Sequence, residues 1–186
     1  MGRLIVEQIV TADGFAQDSD GGMKFMESAP ISATDTEQLS MLESVGAVVL
    51  GRRTYEMFSE YWPDVSPEDQ PVAALINSLP KHVVSATLES APWGSHAAAI
   101  VESGGALKAV QRLQAETDGD VLVWGSLELT DALFMAGMVD VLRLRGIPVL
   151  IGSGRVATPA GLEQTTLRQV ASHATGGWVT TEYALS

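Results

Sequence analysis

Residues 48–58, which read VVLGRRTYEMF, decide the fold. An apolar, β-branched run ends at Gly51, and an amphipathic run opens after Arg52, Arg53 and Thr54. A short buried strand that runs through glycine into a helix is the building unit of parallel α/β sheets. The stretch therefore predicts a strand, a tight turn that carries two arginines, and a helix.

The same alternation of strand and helix continues on both sides of this stretch. Runs of apolar and β-branched residues predict strands at 3–10, 47–51, 81–86, 97–101, 120–126, 139–145, 149–151, 167–173 and 178–183. Apolar residues at helical spacing predict helices after a capping box at 34–37, and at 72–77, 105–115 and 127–135.

The order of these elements predicts the fold class. The last two strands are joined by Gly176 and Gly177, which is typical of a hairpin turn. We therefore expect an α/β fold with a mostly parallel central sheet, antiparallel C-terminal strands and helices on both faces. No linker or internal repeat interrupts the sequence, so residues 1–186 are interpreted as a single domain.

Composition excludes several classes of protein. Of the 186 residues, 46% are hydrophobic, which is enough for a sizeable core. A net charge of -12 argues against nucleic acid and against anionic membrane surfaces. The absence of cysteine excludes disulfides and thiolate metal sites, and no histidine pair has the spacing of metal ligands. No apolar run reaches the roughly 20 residues of a membrane span, and no signal-peptide pattern is present, so we expect a cytoplasmic protein.

Three predicted strands end in glycine, at Gly51, Gly125 and Gly152. Ligands of parallel sheets bind at the carboxyl ends of strands, where a glycine lets a phosphate approach the backbone and a following helix directs free N–H groups at it. The alternative is that each glycine only permits a tight turn. Two of the three glycines lie close to arginine, which favours a nucleotide as the ligand. Arg52 and Arg53 would then give an otherwise acidic protein one positively charged site.

Residues 152–157, GSGRVA, match the dinucleotide fingerprint G-x-G-x-x-A as a bare pattern. That fingerprint opens a helix, but Thr158 and Pro159 follow here, and the acidic residue expected about 20 positions later is absent. We therefore reject a Rossmann fold and keep only a loop that contacts phosphate or ribose.

Five motifs in order along the chain resemble the dihydrofolate-reductase-like family: TADGF (11–15), GRRTYE (51–56), LPKHVVSATL (79–88), VWGSLELTDAL (123–133) and VDVLRLRGIPVLIGSGR (139–155). They are most similar to the branch that includes the C-terminal reductase domain of bacterial riboflavin biosynthesis. The resemblance implies a three-layer fold with a sheet of about eight strands. It also implies NADPH as the cofactor and a homodimer.

The resemblance also implies roles for individual residues of the coenzyme site. The adenosine-side phosphates would be held by Gly51, Arg52, Arg53 and Thr54, the adenosine end would be contacted by Ser85, and the pyrophosphate would lie at the turn of Gly125, Ser126 and Leu127. The loop beside the nicotinamide would contain Ala12, Gly14 and Phe15. A later loop near the coenzyme would contain Ile151, Gly152 and Gly154.

The substrate side has fewer candidates. A reductase needs a proton donor, for which Asp13 and Glu27 are the catalytic candidates, although Asp-Gly is also a common turn dipeptide. Lys24 is a candidate contact for a substrate phosphate, with an exposed lysine as the alternative. Trp62 is a candidate wall of the substrate pocket, with core packing as the alternative. Relatives often carry a tryptophan after the first loop, where this chain has Met23, Lys24 and Phe25.

Together, these expectations predict that the protein is an NADPH-dependent reductase, which transfers hydride to a C=N or C=O group of a small heterocycle. The substrate would be of pteridine or pyrimidine type, such as 5-amino-6-(5-phosphoribosylamino)uracil or a dihydrofolate-like compound. The alternative is a non-catalytic nucleotide-binding module or sensor with the same fold.

Overall fold

The computed structural model describes residues 2–29 and 35–185, which build one large and one small β-sheet. The strands are β1 (Leu4–Thr11), β2 (Phe15–Asp18), β3 (Val45–Gly51), β4 (Lys81–Val84), β5 (Ala91–Trp93), β6 (His96–Glu102), β7 (Asp120–Trp124), β8 (Val141–Ile147), β9 (Gly154–Val156), β10 (Leu167–Thr175) and β11 (Trp178–Leu185).

The large sheet has nine strands in the order β10-β11-β8-β1-β7-β3-β4-β6-β5. Its central strands, from β8 to β6, run parallel. The edges are antiparallel: β11 pairs with β8, β10 with β11, and β5 with β6. The small sheet pairs β2 with β9. The predicted fold class is confirmed.

Helices cover both faces of the large sheet. They are α1 (Asp35–Leu42), α2 (Arg52–Tyr61), α3 (Val72–Ser78), α4 (Ala106–Glu116) and α5 (Leu127–Met135), with short 3-10 helices at Lys24–Ser28 and Trp62–Asp64. Alternate strand residues face opposite sides. Accordingly Ile5 and Leu122 pack with α1, α2 and α3, whereas Val6 and Val123 pack with α4 and α5.

The observed elements correct the sequence-based prediction at a few points. Residues 149–151 were predicted as a strand and are not one: Pro148 offers no N–H for a ladder, and Val149 and Ile151 instead pack near Trp178. Strands β2, β5 and β9, of three or four residues each, were not predicted. The predicted capping box begins at position 34, which lies outside the described residues, and α1 begins at Asp35.

The turns that follow β3 and β7 pack directly against each other. A Cβ on Gly51 would lie 2.0 Å from Ser126 Oγ, and a Cβ on Gly125 would lie 3.1 Å from Thr54 Cγ2. Ser126 has a φ of 66°, in the left-handed region that L-residues avoid. Each glycine therefore makes room for the other turn, and together they bring the first residues of α2 and α5 side by side.

Lys81 is a buried cation at the end of α3. Its Nζ donates to the carbonyl oxygens of Ile76, Asn77 and Leu79 at 2.6–2.9 Å and lies 4.8 Å from the centre of the Trp93 ring. These carbonyls lack partners within the helix, so the ammonium caps the helix. Burial nevertheless lowers the pKa of Lys81 from 10.5 to about 8.

No helix within the described residues has the length and apolar character that crossing a bilayer requires.

Lys81 predicts a pH dependence of stability. The unfolded chain binds this proton up to pH 10.5 and the folded protein only up to about pH 8, so the free energy of unfolding rises with pH across that window. Relative to Lys81→Met, the rise should reach about 3 kcal/mol. Urea denaturation of both proteins at several pH values between these limits tests it. A difference between them that stays constant with pH would contradict the prediction.

The contact between the two turns predicts a specific rescue. Gly51→Ala should lower the free energy of unfolding by about 1–3 kcal/mol, because the new methyl group would overlap Oγ and Cβ of Ser126. Adding Ser126→Gly should restore most of the loss, because it removes both obstructing atoms. Gly104→Ala is the matched control, since a Cβ at Gly104 meets nothing within 4 Å. If urea denaturation finds no recovery in the double variant, the contact does not carry the cost.

Candidate functional site

A cleft of about 870 Å³ opens at the edge of the sheet where the parallel strands end. Open parallel sheets bind ligands at this edge. On one side it is lined by the turns after β3, β4 and β7, which we call the two-turn side: Gly51, Arg52, Arg53, Thr54, Ser85, Gly125, Ser126 and Leu127. On the other side it is lined by residues of β1, α1, β8 and β11, which we call the charged side: Glu7, Gln38, Arg145 and Trp178.

Two helices begin at the two-turn side. The N-cap residues of α2 and α5 are Gly51 and Ser126, and neither helix has a side-chain cap. The first backbone N–H groups of a helix have no partner within the helix, and they carry its positive end. Two such ends at one place favour an anionic group in the cleft.

Arg52 and Arg53 add positive charge to the two-turn side. The Nε of Arg52 donates to Glu56 at 2.7 Å, and its Nη1 donates to the hydroxyl of Thr87 at 2.9 Å. Thr87 belongs to the turn that Ser85 begins, because Ser85 Oγ accepts from the backbone N–H of Thr87. Arg52 therefore lies beside Ser85, and Arg53 is exposed at the same helix end.

Aromatic side chains form an apolar wall of the cleft. The rings of Trp62 and Trp124 stack with their centres 6.3 Å apart, and Phe58 meets Trp124 edge-on at 5.3 Å. Tyr61 packs edge-on against Trp62. Flat rings that line a cleft are typical of sites for planar ligands.

A buried ion-pair network stands behind the charged side. Glu7, Arg143 and Glu182 are cross-strand neighbours on β1, β8 and β11. Arg143 donates to Glu7, to Glu37, to Glu182 at 3.0 Å and to Gln38 at 2.9 Å, while Gln38 Nε2 donates to Glu7 at 3.0 Å. Burial lowers the pKa of Arg143, but the charges of Glu7 and Glu37 outweigh burial and raise it. Arg143 therefore stays protonated, and its hydrogen bonds fix the side chains around it.

The charged side was not predicted from the sequence. Its signals were present: Glu7 interrupts an apolar strand, and Arg143 and Arg145 lie two positions apart in VLRLRGI, which places both on one face of β8. A charged residue inside a buried strand needs a partner, and that requirement would have pointed to the pair. Gln38 and Trp178 give no comparable signal.

The cleft brings together part of the predicted site residues. Those in its lining are Gly51, Arg52, Arg53, Thr54, Ser85, Gly125, Ser126, Leu127 and Trp62. The predicted residues outside its lining are Ala12, Asp13, Gly14, Phe15, Lys24, Glu27, Ile151, Gly152 and Gly154. Neighbours of the second group, Ala16, Gln17 and Arg155, do reach the cleft.

Asp13 joins two loops. Its carboxylate accepts from the backbone N–H groups of Gly152 at 2.7 Å and Ile151 at 3.1 Å, and from the hydroxyl of Thr11 at 2.6 Å. The bond from Thr11, with that from Gly152, lowers the pKa of Asp13. A proton donor needs a raised pKa, so this geometry favours the turn-forming alternative, and a catalytic Asp13 stays a prediction.

Glu27 and Lys24 lie on the exposed 3-10 helix. Lys24 Nζ pairs with Asp20 at 2.5 Å, and this hydrogen bond raises the pKa of Lys24. Both side chains are exposed to solvent. Their roles as acid and as phosphate contact stay predictions. Within residues 2–29 and 35–185, no group of three or more histidine or acidic residues is placed to hold a metal ion.

Known proteins share this fold over the whole chain. A putative riboflavin biosynthesis protein from Shewanella sp. PV-4 superposes with a TM-score of 0.78 at 21% identity, over 99% of each chain. Dihydrofolate reductase from Enterococcus faecalis, complexed with NADP(H) and RAB-propyl, superposes with a TM-score of 0.64 at 12% identity, over 100% of this chain and 97% of that one. Both likenesses establish the dihydrofolate-reductase-like fold.

Sequence comparison gives the family. The uncharacterized protein YyaP of Bacillus subtilis (strain 168) is 25% identical over 155 residues, which is 82% of this chain and 78% of that protein. The family model described as the RibD C-terminal domain matches residues 3–180. The resemblance inferred from the five motifs is thereby confirmed, and this chain belongs to the RibD C-terminal domain family.

Proposed function

We propose that the protein is a reductase that uses NADPH to reduce a small heterocycle of pteridine or pyrimidine type. The observation that carries this proposal is the meeting of two uncapped helix ends and an arginine pair in one cleft. Such a site suits a ligand with phosphate groups. Membership of the RibD C-terminal domain family supports a reductase.

The residues of the two-turn side fit the coenzyme. The amino ends of α2 and α5 would receive the pyrophosphate, with Gly51, Gly125 and Ser126 at the point of closest approach. Arg52, held beside Ser85, would receive the 2′-phosphate. When bound, NADPH supplies a hydride from its nicotinamide ring.

The remaining lining of the cleft suits a flat ring. Trp62 and Trp124 line it with aromatic surface, and Met26 and Ile9 line it with apolar surface near the charged side. Such a pocket positions a planar substrate and excludes water, which are the main contributions of a protein to hydride transfer. We infer a substrate such as 5-amino-6-(5-phosphoribosylamino)uracil or a dihydrofolate-like compound.

One observation favours a second candidate, a nucleotide-binding module without turnover. Neither Asp13 nor Glu27 lines the cleft. Glu7 does, but its carboxylate is engaged by Gln38 and Arg143. A module would need the two-turn side alone, whereas a reductase needs a route for a proton as well.

Arg52 predicts coenzyme preference. Arg52→Ala should weaken NADPH binding by roughly 10- to 150-fold, the loss of one charge-assisted contact. NADH should be affected far less, because it lacks the 2′-phosphate. Arg112→Ala is the matched control, because Arg112 is a partly exposed arginine on α4, paired with Glu102 and Glu116. Calorimetric titration with both coenzymes checks the ratio. Equal losses for NADPH and NADH would contradict the role of Arg52.

Turnover separates the two candidates. Purified protein should bind NADPH and oxidise it in the presence of at least one member of a panel of pterins, pyrimidines and quinones. Fluorescence titration measures binding, and absorbance of the reduced coenzyme measures oxidation. Binding without oxidation across the panel would favour the module. Absence of NADPH binding at millimolar concentration would overturn both.

A further inference from the structure

The charged side contains a buried donor that no atom of residues 2–29 or 35–185 satisfies. Trp178 is 1% exposed, and within the described part of the chain its indole Nε1 has no hydrogen-bond partner. An unpaired buried N–H is costly, so such a group in a native fold calls for an explanation. Trp178 lines the cleft, which makes a ligand atom the natural acceptor.

A second donor lies beside it. The guanidinium of Arg145 lies 4.9 Å from the centre of the Trp178 ring, and Arg145 also lines the cleft. Its Nη1 forms an ion pair with Glu7 at 3.7 Å. A guanidinium carries five N–H donors, so it can donate to a ligand as well as to protein groups. The indole and the guanidinium thus bring N–H donors together at one corner of the cleft.

The charge of this corner selects the kind of acceptor. Three carboxylates, of Glu7, Glu37 and Glu182, surround two guanidiniums, of Arg143 and Arg145. The network therefore already carries one surplus negative charge. A phosphate or carboxylate would add to that surplus in a buried place, whereas a neutral carbonyl oxygen accepts the same hydrogen bonds without it.

The surroundings of the corner are apolar. Phe25 and Ile147 are buried in the same cluster as Trp178, and Ile9, Met23 and Met26 pack against it. Ile9 and both methionines also line the cleft. A flat ring that presents one oxygen to the donors and its carbon edge to these side chains matches both features.

We propose that Trp178 Nε1 and the Arg145 guanidinium form a hydrogen-bond-donor subsite, which binds an uncharged carbonyl oxygen of a ring substrate. The proposal rests on the proposed function, because it assigns the substrate end of that same cleft. It makes both side chains substrate-positioning residues, and it places any substrate phosphate elsewhere.

A matched pair of ligands tests the subsite. Lumazine is pteridine-2,4-dione, and 2,4-diaminopteridine has the same ring system with amino groups in place of both oxygens. With NADP⁺ at saturation and neutral pH, lumazine should bind the wild type at least tenfold more tightly. Trp178→Phe and Arg145→Met should each weaken lumazine about tenfold, as expected for one lost hydrogen bond of this kind. Both should leave the diamino compound and NADPH nearly unchanged.

Trp93→Phe is the control for loss of a buried indole. Trp93 Nε1 already donates to Asn77 at 2.7 Å, and Trp93 is not part of the cleft lining, so this variant should keep the preference for lumazine. The subsite is overturned if the diamino compound binds as tightly as lumazine, if both variants keep the preference, or if neither pteridine binds while NADPH does. If NADPH itself fails to bind, the proposed function fails instead.

Discussion

The steric contact between the β3–α2 and β7–α5 turns is the constraint on which the cleft depends. Gly51 faces Ser126 and Gly125 faces Thr54, so neither turn can accept a side chain at its glycine without displacing the other. Because the turns touch, two helices start within one small volume, and their unpaired N–H groups converge. The backbone of Ser126 is held in a left-handed conformation as part of the same arrangement. Such local strain persists only where the surrounding structure over-determines it.

The other half of the cleft depends on electrostatics. Glu7, Arg143 and Glu182 form a row across three neighbouring strands, and Gln38 from α1 joins Glu7 to Arg143. Buried ion pairs add little net stability, but removing one partner leaves an uncompensated charge. The row therefore acts mainly to hold α1 and the C-terminal hairpin in one relation to β1. Arg145 and Trp178, which line the cleft, lie on two of these strands, β8 and β11.

Sequence patterns predicted the parts of this molecule that are local. Strand β3, Gly51 and helix α2 are contiguous, so periodicity and glycine position were enough to infer Gly51, the arginine pair and Gly125. Ser85, Ser126 and Leu127 of the two-turn side came from the family resemblance. Arg143 meets Glu7 across 136 positions, and Asp13 meets Gly152 across 139. Contacts of that kind leave no periodic trace in one sequence. For this reason Asp13 was predicted as an acid from its motif, while its hydrogen bonds to the late loop were not foreseen.

The link made by Asp13 has a mechanical consequence. One carboxylate fastens the turn after β1 to the backbone before β9, and β9 lies so close to β2 that a Cβ on Gly154 would lie 2.1 Å from the carbonyl oxygen of Gln17. The two short strands are thus tied to each other and to the turn after β1. Arg155 on β9 lines the cleft and pairs with Asp131 of α5. A continuous chain of hydrogen bonds and one ion pair therefore joins a solvent-exposed turn to the rim of the site.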